Sequence, residues 1–338
     1  MNTKYNNIIN ELVSIEKKYL KYFFKSDFDF RENITIRTFD LLIKRNKVFN
    51  KSINNLKIHF PNSSKIAKEF LLTHEKSPNH IWEPQTHKLL KILCKKKKNI
   101  FFGGAFFGDH SCLIANKFPA SDIYCFEPVK KQRFYLTKNK KANKLNNLYI
   151  SKKALFSIHN KKLFIKEEKK DDGDISLSIR KKFNSPFFLT DSLDNFTEKR
   201  KIKNIDVLMM DVEGNELNIL LGAKNLLKTN SLNSIIFEIH SKYVSWRNGL
   251  EKTPIIKLLL NNNFNIYAIR DCHSNKNLRN KIELLDIKNT YLNGPKHGFN
   301  MIATKDKNLL INKNILLSKK NYSPKYLFHK SSNKFHYI

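Results

Sequence analysis

Cysteine is scarce in this chain of 338 residues, and the four present are badly placed for either of their structural uses. Cys94, Cys112, Cys125 and Cys272 form no CxxC pair and have no histidine at metal-finger spacing, which excludes a zinc module and a disulfide framework. A reducing compartment, the cytoplasm, is therefore expected. Long apolar runs are missing too. No uninterrupted stretch reaches the roughly 20 residues needed to span a bilayer. The opening MNTKYNNIINELVSIEKKYL lacks the apolar core of a secretory signal. Acidic residues are few, 30 against 63 lysines and arginines, for a formal net charge of +33. Such an excess suits nucleic acid, anionic lipid or a polyanionic glycan. Here it is spread along the chain and not gathered into an aromatic-interleaved stripe. It reads as compositional bias, and nucleic acid is not the expected partner. Any membrane contact through the basic surface is expected to be peripheral and electrostatic.

What is present is an alternation. From Asn99 onward short apolar runs (IFFGG, IYCFEP, LYISKKALFS, VLMMDVEG, SIIFEIH, FNIYAIRD and FNMIAT) take turns with helical stretches. That order predicts an α/β fold built on a parallel, doubly wound sheet. Residues 1–75 carry apolar stripes at helical spacing, Ile8, Ile9, Leu12, Val13 and Ile15, then Phe39, Leu41, Leu42 and Ile43. They predict a helical N-terminal extension that packs on the main domain, shapes its mouth or serves oligomerisation. Pro84 opens an amphipathic helix that ends in the lysine run Lys95–Lys98. The main domain is read as 76–304. Within it 167–184 is expected to be a polar, mobile loop, and 305–338 a loosely attached basic tail.

Three stretches could carry chemistry. In FFGGAFFGDHS, Gly103, Gly104 and Gly108 let the backbone turn tightly after a strand and approach a ligand closely, although the spacing is not GxGxxG. In CFEP, Glu127 stands about 20 residues further on, where an acid at a strand tip accepts from ribose hydroxyls. With Pro128 it could equally open a helix. In IDVLMMDVEGNELNILLGAKNLL a four-residue buried run gives way to an acidic turn and a helix, delivering Asp211, Glu213 and Glu216. An extended chain as far as Gly214 would send Asp211 and Glu213 the same way. Glu238 and His240 end the neighbouring strand. Carboxylates and an imidazole converging there can bind a cation, deprotonate a hydroxyl or orient a polar substrate.

In this order the motifs resemble those of the FkbM-type S-adenosylmethionine-dependent methyltransferases over about residues 80–304. The resemblance rests on Glu83 and Pro84; Gly104, Ala105 and Gly108; Phe126, Glu127 and Pro128; Leu136, Asn139 and Asn143; Ala154 and Leu155; Leu193 and Asp194; the DVEG block; Glu238 to His240; and Asn300 to Ala303. It implies a class I, Rossmann-like methyltransferase sheet, mostly parallel with one antiparallel strand near the end. It also implies S-adenosyl-L-methionine as cofactor, with Gly104, Ala105 and Gly108 beside its methionine part, Glu127 on the ribose, and Glu83 and Ala154 among its neighbours. Asp211 is placed beside the transferring methyl group. One departure matters: Phe102 stands where the family has an acid that helps hold the cofactor's ammonium, a task Glu83 could take over.

The expected reaction is methyl transfer to a hydroxyl, of a sugar in a glycan, glycolipid or secondary metabolite. Asp211 or His240 is expected to take the proton, with Glu213 and Glu238 orienting the acceptor or holding a divalent cation. The rivals are an RNA methyltransferase, which would explain the charge but shows no stacking platform, a nicotinamide-dependent oxidoreductase, and a degenerate fold kept as an interaction module. Oligomeric state is not legible.

Overall fold

The structure is a computed structural model that describes residues 3–23, 31–43, 48–61, 64, 68, 82–168, 175–178, 186–271, 281–293 and 298–325. In chain order α1 (Thr3–Phe23) and α2 (Ile36–Leu42) lead into a hairpin of β1 (Val48–Ile53) and β2 (Leu56–Pro61). Then come α3 (Pro84–Leu93), β3 (Asn99–Gly103), α4 (Ser111–Lys117), β4 (Asp122–Phe126), α5 (Lys130–Ala142) and β5 (Leu148–Ser151). A second group follows: β6 (Ala154–Leu155), β7 (Lys162–Glu168), β8 (Ile175–Ser178) and β9 (Phe187–Asp191). After it come α6 (Leu193–Lys199), β10 (Ile205–Met210), α7 (Glu216–Leu221), α8 (Lys224–Lys228) and β11 (Leu232–His240). The chain closes with α9 (Pro254–Asn261), β12 (Asn265–Ile269), β13 (Ile282–Asp286), β14 (Gly298–Thr304) and β15 (Ile315–Ser318).

Among the described residues nine strands form the main sheet, in the order β15-β13-β12-β14-β11-β10-β3-β4-β5. From β5 through β4, β3 and β10 to β11 every neighbouring pair is parallel. β14 runs antiparallel between β11 and β12, the reversed strand expected near the end. The sheet is buried on both faces. Val207 and Met209 of β10 join one apolar cluster with the α3, α4 and α5 side chains, while Leu208 and Met210 join the opposite one with those of α7, α8 and α9. Such two-sided burial is why parallel strands read as short unbroken apolar runs.

Four expectations need correction. The reading of 1–75 as helical fails at 48–61, a two-stranded hairpin whose strands alternate and whose turn is made by Asn54 and Asn55, both left-handed at φ 46° and 66°. In the polar loop, Ile175–Ser178 is a strand pairing with β7; the loop residues 169–174 and 179–184 lie outside the described residues. The basic tail begins inside the fold, because β15 pairs in parallel with β13. Beyond it Asp271 donates its backbone N–H to Pro324 O at 2.9 Å and Tyr291 donates to Tyr322 O at 2.8 Å. Finally β13 and β15 also oppose the parallel set, so the sheet has more than one reversed strand.

Candidate active site

The stretches that the sequence singled out for chemistry lie where β3, β4, β10 and β11 end and β14 begins, the carboxyl edge at which open α/β sheets bind ligands. The glycine loop forms its floor. Gly104 (φ 75°) and Ala105 donate to Phe126 O at 3.0 and 3.2 Å, and Asp211 donates to Gly103 O at 3.0 Å. The loop therefore straps β3 to both neighbours. A Cβ at Gly104 would lie 1.9 Å from the Asp211 carbonyl oxygen, so no side chain fits there. Gly108 (φ 92°) is closed in by Cys112 and Leu136.

Glu127 follows β4, is 2% exposed, and accepts from Phe106 N at 2.8 Å and from Val129 N at 2.9 Å. Both bonds favour the carboxylate, yet burial outweighs them and pushes its pKa up to about 7. Each oxygen keeps a lone pair for a further donor.

The acidic turn folds differently from the extended course expected of it. The chain leaves strand geometry after Met210, and Glu213 is left-handed at φ 53°. Even so, one carboxylate oxygen from each of Asp211, Glu213 and Glu238 comes within 4.8 Å of the others. Glu216 makes this possible. Its buried Oε1 accepts from Val212 N at 3.1 Å and Gly214 N at 3.4 Å, tying the turn to the first residue of α7. Tyr243 locks the other side, donating from its hydroxyl to Glu213 Oε2 at 2.9 Å with its ring packed on Gly214. Asp211 opens to the cleft. The low-polarity walls first, and then Glu238, Glu213, Glu83 and Glu216, hold its pKa well above the carboxylate range, and burial with Glu213 does the same to Glu238. His240 accepts from Lys242 N at Nδ1 (2.9 Å), so the neutral ring carries its proton on Nε2.

A second cluster, largely invisible in sequence, backs the cleft. Glu83 precedes α3 in a left-handed conformation (φ 50°) and accepts at Oε2 from Asn300 Nδ2 at 2.6 Å. Asp271, after β12, accepts from Gln85 N and Thr86 N at 3.0 and 2.7 Å, and burial raises it to about 6. His87 and His110 stack with their Nδ1 atoms 3.3 Å apart. Burial, then His110, drives His87 well below its usual range. For His110 burial acts in the same direction, but Asp109 and Glu83 outweigh it and the pKa is raised, with Nε2 3.8 Å from Glu83 Oε2. Burial also raises Asp109. Gln85 is fully buried, and among the described residues neither polar atom of its side chain has a hydrogen-bond partner. Ala154 is buried in a small core with Phe156 and Leu163, and the adjoining Leu155 packs beside Gly103.

The donor set has a definite chemistry: six buried or cleft-lining acids with raised pKa values, Asp109, Glu127, Asp211, Glu216, Glu238 and Asp271, beside three imidazoles, His87, His110 and His240. It is short of positive charge. It fits a ligand that brings cationic groups of its own, set against a glycine floor with room for nothing but backbone.

Residues 103–266 match the family described as methyltransferase FkbM domain. No curated protein matches the chain. Solved structures similar to it include precorrin-6y C5,15-methyltransferase from Geobacter metallireducens, at 12% identity and TM-score 0.35 over 66% of this chain and 87% of that one. M. jannaschii TYW2 in complex with AdoMet aligns at 14% identity and TM-score 0.36, over 77% of this chain and 87% of its own. Magnesium protoporphyrin IX methyltransferase from Synechocystis PCC 6803 with bound SAM gives 9% and 0.34, over 72% and 84%. These likenesses are distant.

Proposed function

We propose that this chain, an S-adenosylmethionine-dependent methyltransferase by its FkbM-type domain over residues 103–266, methylates a hydroxyl oxygen, that of a sugar in a glycan, glycolipid or secondary metabolite. The observation that carries the reading is the meeting of Asp211, Glu213 and Glu238 at the carboxyl edge, beside a glycine loop packed so closely on the Asp211 backbone that no Cβ fits. When bound, the cofactor supplies an electrophilic methyl carbon on a cationic sulfonium. Its positive groups suit the acid-rich cleft. Glu127 would take the ribose hydroxyls on its remaining lone pairs, and Gly104, Ala105 and Gly108 would give the methionine part its close backbone wall. Glu83 and Asp109 stand in for the acid that Phe102 replaces.

Asp211 is the base. The low-polarity walls and the neighbouring Glu238 and Glu213 raise its pKa, which makes it a stronger base than a free carboxylate. The acceptor hydroxyl gives its proton to Asp211 as the new bond to oxygen forms. His240, with Nδ1 already engaged by Lys242 N, acts as a donor from Nε2 that orients the acceptor. Glu213, fixed by Tyr243, and Glu238 accept from neighbouring hydroxyls of the acceptor. Positioning of this kind can supply on the order of 7–11 kcal/mol of the barrier. The same three carboxylates offer hard oxygen ligands to a divalent cation; activity lost to a chelator and restored by Mg²⁺ would assign them that task.

The test is transfer of labelled methyl groups to a panel of mono- and oligosaccharides, with Asp211→Asn alongside wild type. The expected result is an O-methyl ether, with turnover in Asp211→Asn reduced about 10²–10⁴-fold and cofactor affinity nearly unchanged. Equal loss of both, or methylation of nitrogen, would overturn the assignment.

A further inference from the structure

At the far edge of the sheet from β15, the exposed side of β5 is flanked by α5 and by the end of α6, and between them runs a groove of about 750 Å³. Its charge is opposite to that of the cleft. Among the described residues seven cationic side chains line it and only one carboxylate, Asp191. That carboxylate is already engaged, 3.3 Å from Lys153 Nζ and 2.7 Å from His159 Nδ1. Among the described residues no acid pairs with Lys140, Lys141, Lys152 or Arg200. A cationic methyl donor is repelled here, so the groove is not an annex of the cofactor site.

The groove also holds aromatic rings, which the sequence keeps 25 and 47 residues apart and the fold brings together. Tyr124 and Tyr149 stack with centroids 5.2 Å apart and planes at 21°. Phe196 meets Tyr124 edge-on at 5.7 Å. Arg200 lies 3.9 Å over the Phe196 ring, and Lys140 Nζ 6.0 Å from that of Tyr149. Tyr149, 47% exposed, continues the stack toward solvent.

Rings interleaved with uncompensated cations along an open channel are what an unpaired nucleic-acid strand needs, since its phosphates seek positive charge and its bases seek π-faces. A duplex keeps its bases stacked inside and has no use for the rings. A membrane surface would meet a convex basic patch better than a recessed one. We propose that the groove along β5 binds a single strand of nucleic acid, with Lys140, Lys152 and Arg200 on phosphates and Tyr149 stacked on a base. The absence of an aromatic-interleaved stripe in sequence was the ground for discounting this partner, and the fold assembles one.

Fluorescence anisotropy with a labelled 12-residue oligouridylate and the full chain tests it. Tyr149→Ala is expected to weaken binding about tenfold, as loss of one stacked base does, while Tyr149→Phe binds like wild type. Lys140→Ser with Lys152→Ser is expected to reduce the slope of log affinity against log salt by about 1.4, two single-strand phosphates' worth. Lys95→Ser with Lys96→Ser, a solvated pair beyond α3, should change neither. Unlabelled single strand should outcompete duplex, heparin and anionic phosphatidylserine vesicles. If heparin competes as well as the strand and Tyr149→Ala binds unchanged, or if the Lys95 and Lys96 control loses as much as the groove variant, the groove is only a charged edge and the proposal fails. Wild-type melting profiles for each variant separate these outcomes from misfolding.

Discussion

Gly104 has no spare space at all, and that makes it the sharpest probe of the site's floor. Its φ of 75° disfavours any side chain, and an added Cβ would collide with the backbone of Asp211 itself. Gly104→Ala is expected to cost at least about 1–3 kcal/mol in strain and to displace Asp211, lowering the thermal midpoint and abolishing cofactor binding together; a variant that melts and binds like wild type would contradict the packing. Glu127 supplies a titration. Its pKa rises from 4.5 to about 7 on folding through burial, so between those values the folded state holds a proton that the unfolded chain has released. Its contribution is full below about pH 4.5 and is lost as pH climbs through about 7. Glu127→Gln, which cannot titrate there, should gain stability relative to wild type across that window in melts without cofactor. Parallel profiles would show that the carboxyl is not held as described. These two residues were legible because a glycine loop and an acid at a strand tip have spacing signatures. Tyr243, Asp271 and Gln85 had none, since each acts through a contact the chain makes only after long excursions. Glu216 was read as a dipole partner, whereas it is the belt that folds the acidic turn.

Two asparagines, Asn139 of α5 and Asn143 at its C-terminal cap, decide how the N-terminal hairpin joins the domain. Asn139, fully buried, accepts from His59 N at 2.6 Å and donates to His59 O and Phe107 O at 2.9 and 2.8 Å. Asn143 repeats the pattern with Lys57, accepting from its N–H at 2.7 Å and donating to its carbonyl at 2.9 Å. Side-chain amides thus imitate a neighbouring strand for β2, and Asn139 also steadies the glycine loop. Asn139→Ala leaves these backbone groups buried without partners and is expected to destabilise by about 3 kcal/mol, read as a fall of several degrees in Tm; a change of under one degree would mean that water or repacking replaces the amide. At this scale the parallel strands and their order were readable from apolar runs set between helices. The hairpin was not, because its alternation hides among lysines and asparagines. Its one signal was Asn54–Asn55, a pair suited to a two-residue turn with positive φ. β13 and β15 were missed for a different reason. The first follows a long polar stretch, and the second sits in lysine-rich sequence with only two of its four residues buried.

The whole molecule separates its charge. A chain with a formal net charge of +33 places Asp211, Glu213, Glu238, Glu83, Asp109 and Asp271 in one cleft and leaves the edge of the same sheet strongly basic. Neither half of that division was legible in composition, which reports sums and not places. Among the described residues no helix is long and apolar enough to cross a membrane. The acidic cleft is expected to hold S-adenosylmethionine although Phe102 occupies the place of an acid. The measurement that bears on it most directly is calorimetric titration of the purified chain with S-adenosylmethionine and with S-adenosylhomocysteine, repeated on Glu127→Ala. Saturable binding in the micromolar range, about −8 kcal/mol, abolished in the variant, is expected. No heat from either ligand with the folded wild-type chain would contradict it and leave the acidic turn as structure alone.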